Sequence, residues 1–175
     1  MSETPNLTGL ARQLVIPHLP GFLARHPGLE MELSGTDRRV DLVREGFDCV
    51  LRVGSLDDNT LVARPLGAMQ IVNCASPAYL ARRGAPQTIA ELAGHELIGT
   101  MGPRAAGEWQ FASGRWRIEP RARLVLNTVD GILAAAEAGL GIANLLSYQL
   151  AEAVDAGRLI SLLAEEQPPA LPVHL

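Results

Sequence analysis

Residue types that could do chemistry come first. His95-Glu96 begins like a zinc-protease helix, in which two imidazoles one turn apart hold a metal and the glutamate activates its water. The second histidine is missing, because Leu97-Ile98-Gly99 follows, and the segment reads as a strand. His18, His26 and His174 stand isolated, with no ligand spacing among them. Gly139-Leu140-Gly141-Ile142-Ala143-Asn144 is half of a dinucleotide fingerprint. It follows a helix and precedes a strand, the reverse of what cradling a phosphate needs, and the third glycine is absent. Those glycines read better as a helix end and a close packing point. Cys49 and Cys74 lie in apolar runs without redox or metal spacing, so both are expected as free, buried thiols in a reducing compartment. No serine sits in a nucleophile elbow. With no nucleophile, metal set or acid–base pair assembled, the expectation is a protein that is not an enzyme and has no cofactor or metal.

Arg104, Arg115, Arg117, Arg121 and Arg123 gather around Trp109, Phe111 and Trp116. A single-stranded nucleic-acid surface would interleave the two sets. Here the aromatics alternate with polar residues, as core-facing strand positions do, so a solvated hairpin is the better reading. The net charge of −4 also gives the chain no general match to a phosphate backbone. All 15 basic residues are arginine, scattered without forming a patch. The run Leu14-Val15-Ile16 stops at Pro17, and no apolar stretch reaches the roughly 20 residues of a membrane helix. A soluble, cytoplasmic protein is expected, with no membrane partner.

The elements that would position these residues alternate between helix and strand, which argues for an α/β fold. Leu10, Leu14, Leu19, Phe22 and Leu23 share one face of a helix over 9–25, kinked or shortened by Pro17 and Pro20. Leu29 to Leu33 alternates apolar and acidic residues and predicts a strand. Thr36 or Asp37 would cap a helix over 38–45 that ends at Gly46. Strands are expected over 48–53, 61–65, 71–75, 96–100, 123–126, 142–146 and 158–163, with a hairpin turning at Ser113-Gly114. Ser76-Pro77 starts a helix that Gly84 ends. Thr88 to Glu91 matches a reciprocal capping box. Asn127 caps a helix that carries Ile132, Leu133, Ala136 and Leu140 and stops at Gly139.

Several of these segments also resemble a known series. Leu10 to Pro17 and then Pro20 to Pro27 look like the first helix of LysR-type effector domains. The stretch Asp37 to Asp48, running into Leu51-Arg52-Val53-Gly54, is the most specific match. Leu61 to Gly67, Ala75 to Leu80, Asp130 to Gly141 and Ala156 to Leu159 follow in the family's order. The resemblance runs from about Leu10 to Leu175.

The resemblance implies a two-lobe, periplasmic-binding-protein-like α/β fold with mixed sheets. The lobes would be 1–75 plus 168–175, and 76–167, with crossovers at Cys74-Ala75-Ser76 and Pro168-Pro169. It implies a small-molecule effector, an organic anion or aromatic acid, held where strand ends and helix starts converge in the cleft between lobes. Candidate contacts are Thr8 and Gly9 before the first helix, Arg52 after a strand, Thr100 and Met101 at another strand end, and Asn127 and Thr128 at a helix start. The positive end of that last helix suits a carboxylate, and Arg52 would supply a fixed charge. A homodimer is implied, through the first helix and the helix over 130–139. Family members read DNA through a winged helix-turn-helix, which is not expected in this chain. The first lobe is expected to be truncated at both ends, at the polar Ser2 to Asn6 and at Leu175, leaving unpaired strand edges and exposed apolar surface. The alternative is a stand-alone small-molecule-binding module unconnected to DNA.

Overall fold

Two prolines divide the first helical run. In the computed structural model, which describes residues 7–35, 42–55, 62–101, 108–117 and 122–175, helix α1 (Leu7–Leu10) passes into a π turn over Ala11–Val15. A 3-10 turn over Ile16–His18 and helix α2 (Leu19–Arg25) follow. A proline has no amide N–H and its ring crowds the carbonyl one turn back, so the hydrogen-bond register changes where Pro17 and Pro20 enter. Leu10 is buried, whereas Leu14, Ile16 and Leu23 are exposed.

The chain divides into two units, Met1–Met69 with Leu171–Leu175, and Gln70–Ala170. The first boundary falls ahead of residues 71–75, which the family resemblance groups with the first lobe. The reason is pairing: among the described residues strand β3 (Ile71–Ala75) pairs with two strands of the second unit, and its Val72 and Cys74 join that unit's core.

Within the first unit, helix α3 (Leu42–Glu45) precedes strand β1 (Arg52–Val53). Strand β2 (Pro65–Met69) and the final strand β10 (Leu171–His174) complete an antiparallel sheet in the order β1-β10-β2. Val53 and Val173 face each other in register and are both buried. The expected strand over 29–33 does not form. The alternation is there, but residues 29–33 have no ladder partner among the described residues, and Leu29, Met31 and Leu33 are exposed. A strand is defined by its neighbour, not by its own pattern. The strand expected over 48–53 shrinks to its last two residues, which leaves Cys49 exposed rather than buried. The strand expected over 61–65 is displaced to Pro65–Met69. The cap at Thr36 or Asp37 lies outside the described residues.

The second unit is built on a five-stranded sheet in the order β7-β4-β8-β3-β9. Its members are β3, β4 (Leu97–Thr100), β7 (Leu124–Leu126), β8 (Ile142–Leu146) and β9 (Ile160–Leu162). Strands β7, β4 and β8 are parallel, and β3 runs against both β8 and β9. Helices α5 (Val129–Glu137) and α6 (Ser147–Asp155) cover one face: Ile132, Ala135, Ala136, Leu150 and Ala153 pack with Val72, Cys74 and Ala143. Helix α4 (Pro77–Arg83) and the hairpin of β5 (Glu108–Phe111) and β6 (Gly114–Arg117) build the other core. There Tyr79, Leu92, Trp109, Phe111 and Ile142 meet. Each large apolar side chain buried this way contributes about 1.5–3 kcal/mol. Burial of Trp109 and Phe111 agrees with reading their alternation as core-facing. The hairpin turns at Ala112-Ser113, one residue earlier than expected.

Cap chemistry decides several boundaries. Ser76 Oγ accepts from the Tyr79 amide at 3.3 Å and starts α4, as expected. The reciprocal box at Thr88 does not form. The Glu91 carboxylate instead accepts from the Gln87 amide at 2.9 Å and from the Thr88 hydroxyl at 3.2 Å, and the segment Ile89–Gly94 is a 3-10 turn. Helix α5 is capped by Thr128, whose Oγ1 accepts from the Gly131 amide at 3.2 Å, and not by Asn127.

Candidate functional site

The parallel strands of the second unit end together. Thr100, Leu126 and Leu146 are the last residues of β4, β7 and β8. Thr100 lies in register with Leu126, and the Met101 amide donates to the Leu126 carbonyl at 2.8 Å. Asn127 and Thr128 then lead into α5, and Ser147 opens α6 directly after β8. Four of the residues singled out from sequence, Thr100, Met101, Asn127 and Thr128, therefore share one edge of one sheet. All four are exposed, Met101 by 64%. An apolar methionine displayed beside hydroxyl and amide groups gives this edge both adhesive surface and hydrogen-bonding capacity.

The electrostatics of the edge come from backbone. Two nine-residue helices begin there. The first turn of α5 carries partial positive charge at an exposed end, whereas the start of α6 is occupied, the Leu146 amide donating to Gln149 Oε1 at 2.9 Å and the Ser147 amide to the Gln70 carbonyl at 2.8 Å. Asp130 sits in the first turn of α5 and offsets part of that field. An anion at this edge is favoured by the start of α5 and tempered by its one first-turn carboxylate.

The opposite edge is closed. Tyr79 is fully buried and its hydroxyl bonds three groups: it donates to Glu96 Oε2 at 2.8 Å, accepts from the Glu96 amide at 3.0 Å and lies 3.0 Å from His95 Nδ1. A phenol has one proton. With that proton pointed at the Glu96 carboxylate, His95 must donate from its own Nδ1–H to complete the third bond. Arg83 pairs with Glu96 at 3.3 Å, and Arg82 donates to the Gly139 carbonyl at 2.9 Å while lying over the Tyr79 ring. The Tyr79 hydrogen bond is the largest of the effects that hold Glu96 below the usual carboxylate range. Burial, reinforced by Glu96, pushes the Tyr79 phenol up. Burial and then Arg83 push the His95 imidazole down, which favours its neutral form. The His95-Glu96 pair that resembled a metal motif thus ties α4 to the start of β4. Among the described residues, no three His, Cys, Asp or Glu gather to hold a metal.

Gly139 and Gly141 belong to this closed edge. Gly139, at φ +77°, turns the chain after α5 in a left-handed conformation that other residues adopt at a cost. A Cβ on Gly141 would lie 2.9 Å from the Glu96 carbonyl carbon. These glycines do close the helix and permit close packing, as expected of them.

The remaining candidates lie in the first unit. Thr8 and Gly9 fall inside α1 rather than before it. Arg52 is half-buried in β1 and stands opposite His174 of β10 in register. His174, read from sequence as an isolated histidine, has a buried Nδ1 without a hydrogen-bond partner among the described residues. An open depression of about 610 Å³ lies at the end of α2, lined by Phe22, Arg25, His26 and Leu29 among others, and contains none of the candidates.

Sequence reasoning passes over Ser147 and Gln70. A serine directly after a buried apolar strand is a usable signal for a helix start. Gln70 carries none, because its side-chain partner is 98 residues away.

Comparison with known proteins gives the same picture. The LysR substrate binding domain profile matches residues 7–175. The HTH-type transcriptional regulator YhjC of Escherichia coli K12 is 42% identical over 159 residues, which are 89% of this chain and 53% of that protein. A transcriptional repressor of Pseudomonas aeruginosa is 31% identical over 97% of the chain and 55% of its own length. The chain thus spans about half the length of the curated relatives it matches. Among solved structures, the regulatory domain of CrgA from Neisseria meningitidis superposes with a TM-score of 0.81 at 29% identity, covering 95% of this chain and 82% of that one. A full-length variant of AphB gives 0.82 at 26% identity, covering 94% and 57%. With a mixed α/β fold of the periplasmic-binding-protein kind and a family match over nearly its whole length, the chain belongs to the LysR substrate-binding-domain family of transcriptional regulators.

Proposed function

We propose that the chain is the effector sensor of a LysR-type regulator, and that the effector meets the open strand-end edge of the second unit through Thr100, Met101, Asn127 and Thr128. The observation that carries this reading is the contrast within one sheet: side chains fill the hydrogen-bonding capacity of one edge, while the other presents Thr100, Asn127 and the start of α5 to solvent. In open α/β sheets ligands bind beyond the carboxyl ends of parallel strands. The effector class is a small organic anion or aromatic acid. The start of α5 favours the charge, and Met101 offers a polarizable surface for an apolar body. Thr8, Gly9 and Arg52 are proposed as the first unit's contributions to binding. In the intact regulator the bound molecule would shift a pre-existing conformational equilibrium in a homodimer, and a DNA-binding domain would read that shift.

The test is a thermal-shift screen of small aliphatic and aromatic carboxylates, followed by calorimetry on any compound that stabilises the chain. Thr128→Val, Thr100→Val and Arg52→Gln are each expected to weaken a true effector about tenfold, the loss of one hydrogen bond to a charged group. Undiminished affinity in all three would remove the site assignment. Binding of uncharged amide analogues as tight as the acids would remove the anion.

A further inference from the structure

Two segments pass between the units, and one side chain joins them. Strand β2 ends at Met69 and β3 begins at Ile71, so Gln70 is the lone residue between two sheets. The returning segment runs through Pro168, Pro169 and Ala170 to Leu171, where β10 begins. On the first unit's side, Met69 and Leu171 are partners in the β2–β10 ladder. On the second unit's side, the Gln70 side chain donates through Nε2 to the Pro168 carbonyl. Pro168 and Pro169 supply no amide donors of their own, and the Gln70 side-chain amide meets the Pro168 carbonyl from the other segment. A carbonyl only accepts, which fixes the orientation of the Gln70 amide with its NH2 toward Pro168. The main chain of Gln70 is held as well. Its amide donates to Ser147 Oγ at 3.3 Å, and its carbonyl accepts from the Ser147 amide at 2.8 Å.

We propose that Gln70 is a clamp that makes the two connecting segments move as one body, anchored to the first residue of α6. The connection is cross-linked on both sides of the boundary, by a backbone ladder in one unit and a side-chain amide in the other. Because Ser147 opens α6 at the strand-end edge, displacement of the start of α6 pulls directly on Gln70. The clamp requires no ligand, so it stands whether or not the effector reading does.

A distance measurement between spin labels tests it. Cys49 is exposed in the first unit, and Ala151→Cys places a second exposed thiol on α6. Cys74 is buried with its thiol pushed up to about 12, which keeps it out of the labelling reaction. Gln70→Leu removes the donor, and Gln70→Glu keeps the shape while replacing the NH2 with an acceptor. Both are expected to broaden the distance distribution at least about twofold and to speed amide exchange at Ala170 and Leu171 about tenfold. Gln70→Asn, one methylene shorter, is expected to fall between the parent and Gln70→Leu. Urea midpoints measured alongside separate this from general loosening. A lower midpoint with unchanged distance width and unchanged exchange at those two amides would overturn the clamp, and so would full parental behaviour in both variants.

Discussion

The two ends of the second unit's sheet are made from the same strands and behave as opposites. At the closed end, Tyr79, Glu96, His95, Arg82 and Arg83 spend their polar groups on one another and on backbone. At the open end, Thr100, Met101 and Asn127 reach solvent, and Thr128 uses its hydroxyl on a single helix cap. The lesson is that polar residues at strand ends are not equivalent. Internally matched donors and acceptors build stability, whereas groups left facing outward can be completed by a ligand at little structural cost. Stability should therefore be sensitive at one end and binding at the other.

The sharpest way to break the comparison is at Gly141. A Cβ there meets backbone, which cannot move aside as a flexible side chain can. Gly141→Ala is expected to cost at least about 3 kcal/mol of stability, within the range of severe overpacking, read as a large drop in the urea midpoint. A change under about 1 kcal/mol would show that the closed end is looser than its geometry. Tyr79→Phe comes next. It removes one hydroxyl and leaves the Glu96 amide and carboxylate short of a partner, for about 1–3 kcal/mol. Ligand affinity should not change, since the substitution lies at the other end of the sheet.

At the open end the balance reverses. Thr128→Ala should cost about 1 kcal/mol, the usual worth of a threonine cap, and Thr100→Ala less than about 0.5 kcal/mol, as expected of an exposed position. Both should reduce binding of any carboxylate that stabilises the chain. If Thr100→Ala destabilised the chain more than Tyr79→Phe, the division into a structural and a binding end would fail.

The smallest effect is acid sensitivity. His95 is held below its ordinary value of about 6.5 by burial and Arg83, so the folded chain binds fewer protons there than the unfolded chain. Its contribution is present above about pH 6.5 and is lost as pH falls from there through the folded value. Glu96 is also depressed, so its contribution is present above about pH 4.5 and is lost below that, through its own folded value. Both losses have the same sign. Melting temperatures should decline modestly from about pH 7 to about pH 5 and more steeply below about pH 4.5, and His95→Gln should flatten the first part. A profile in which the parent and His95→Gln decline alike would remove His95 from the account.

Much of the second unit was legible in residue patterns. Ser76-Pro77 and Gly84 bracketed α4 because a capping hydroxyl, a proline and a left-handed turn act within a few residues of one another. Residues 71–75 and 142–146 read as strands because both their faces are buried, and burial on both faces leaves a continuous apolar run. The first unit was less legible. Leu29 to Leu33 has a strand's alternation without a strand's partner, and β1 and β2 were misplaced by a few residues because pairing with β10, more than 100 positions away in sequence, sets their limits. Of the candidate site, Thr100, Met101, Asn127 and Thr128 fall together on one sheet edge because strand ends and helix starts have local signatures. Thr8 and Gly9, expected just ahead of the first helix, lie within α1.

The sequence by itself determined the α/β class, the family resemblance and the local starts and stops of helices, since these depend on periodicity and on contacts a few residues apart. Tertiary structure decided which strands pair, where one unit gives way to the other, and which end of a sheet is sealed. Those outcomes rest on meetings such as Tyr79 with Glu96 across 17 residues and Gln70 with Pro168 across 98. No local pattern encodes such a meeting, because the free energy that selects it exists only once the distant segments are packed together.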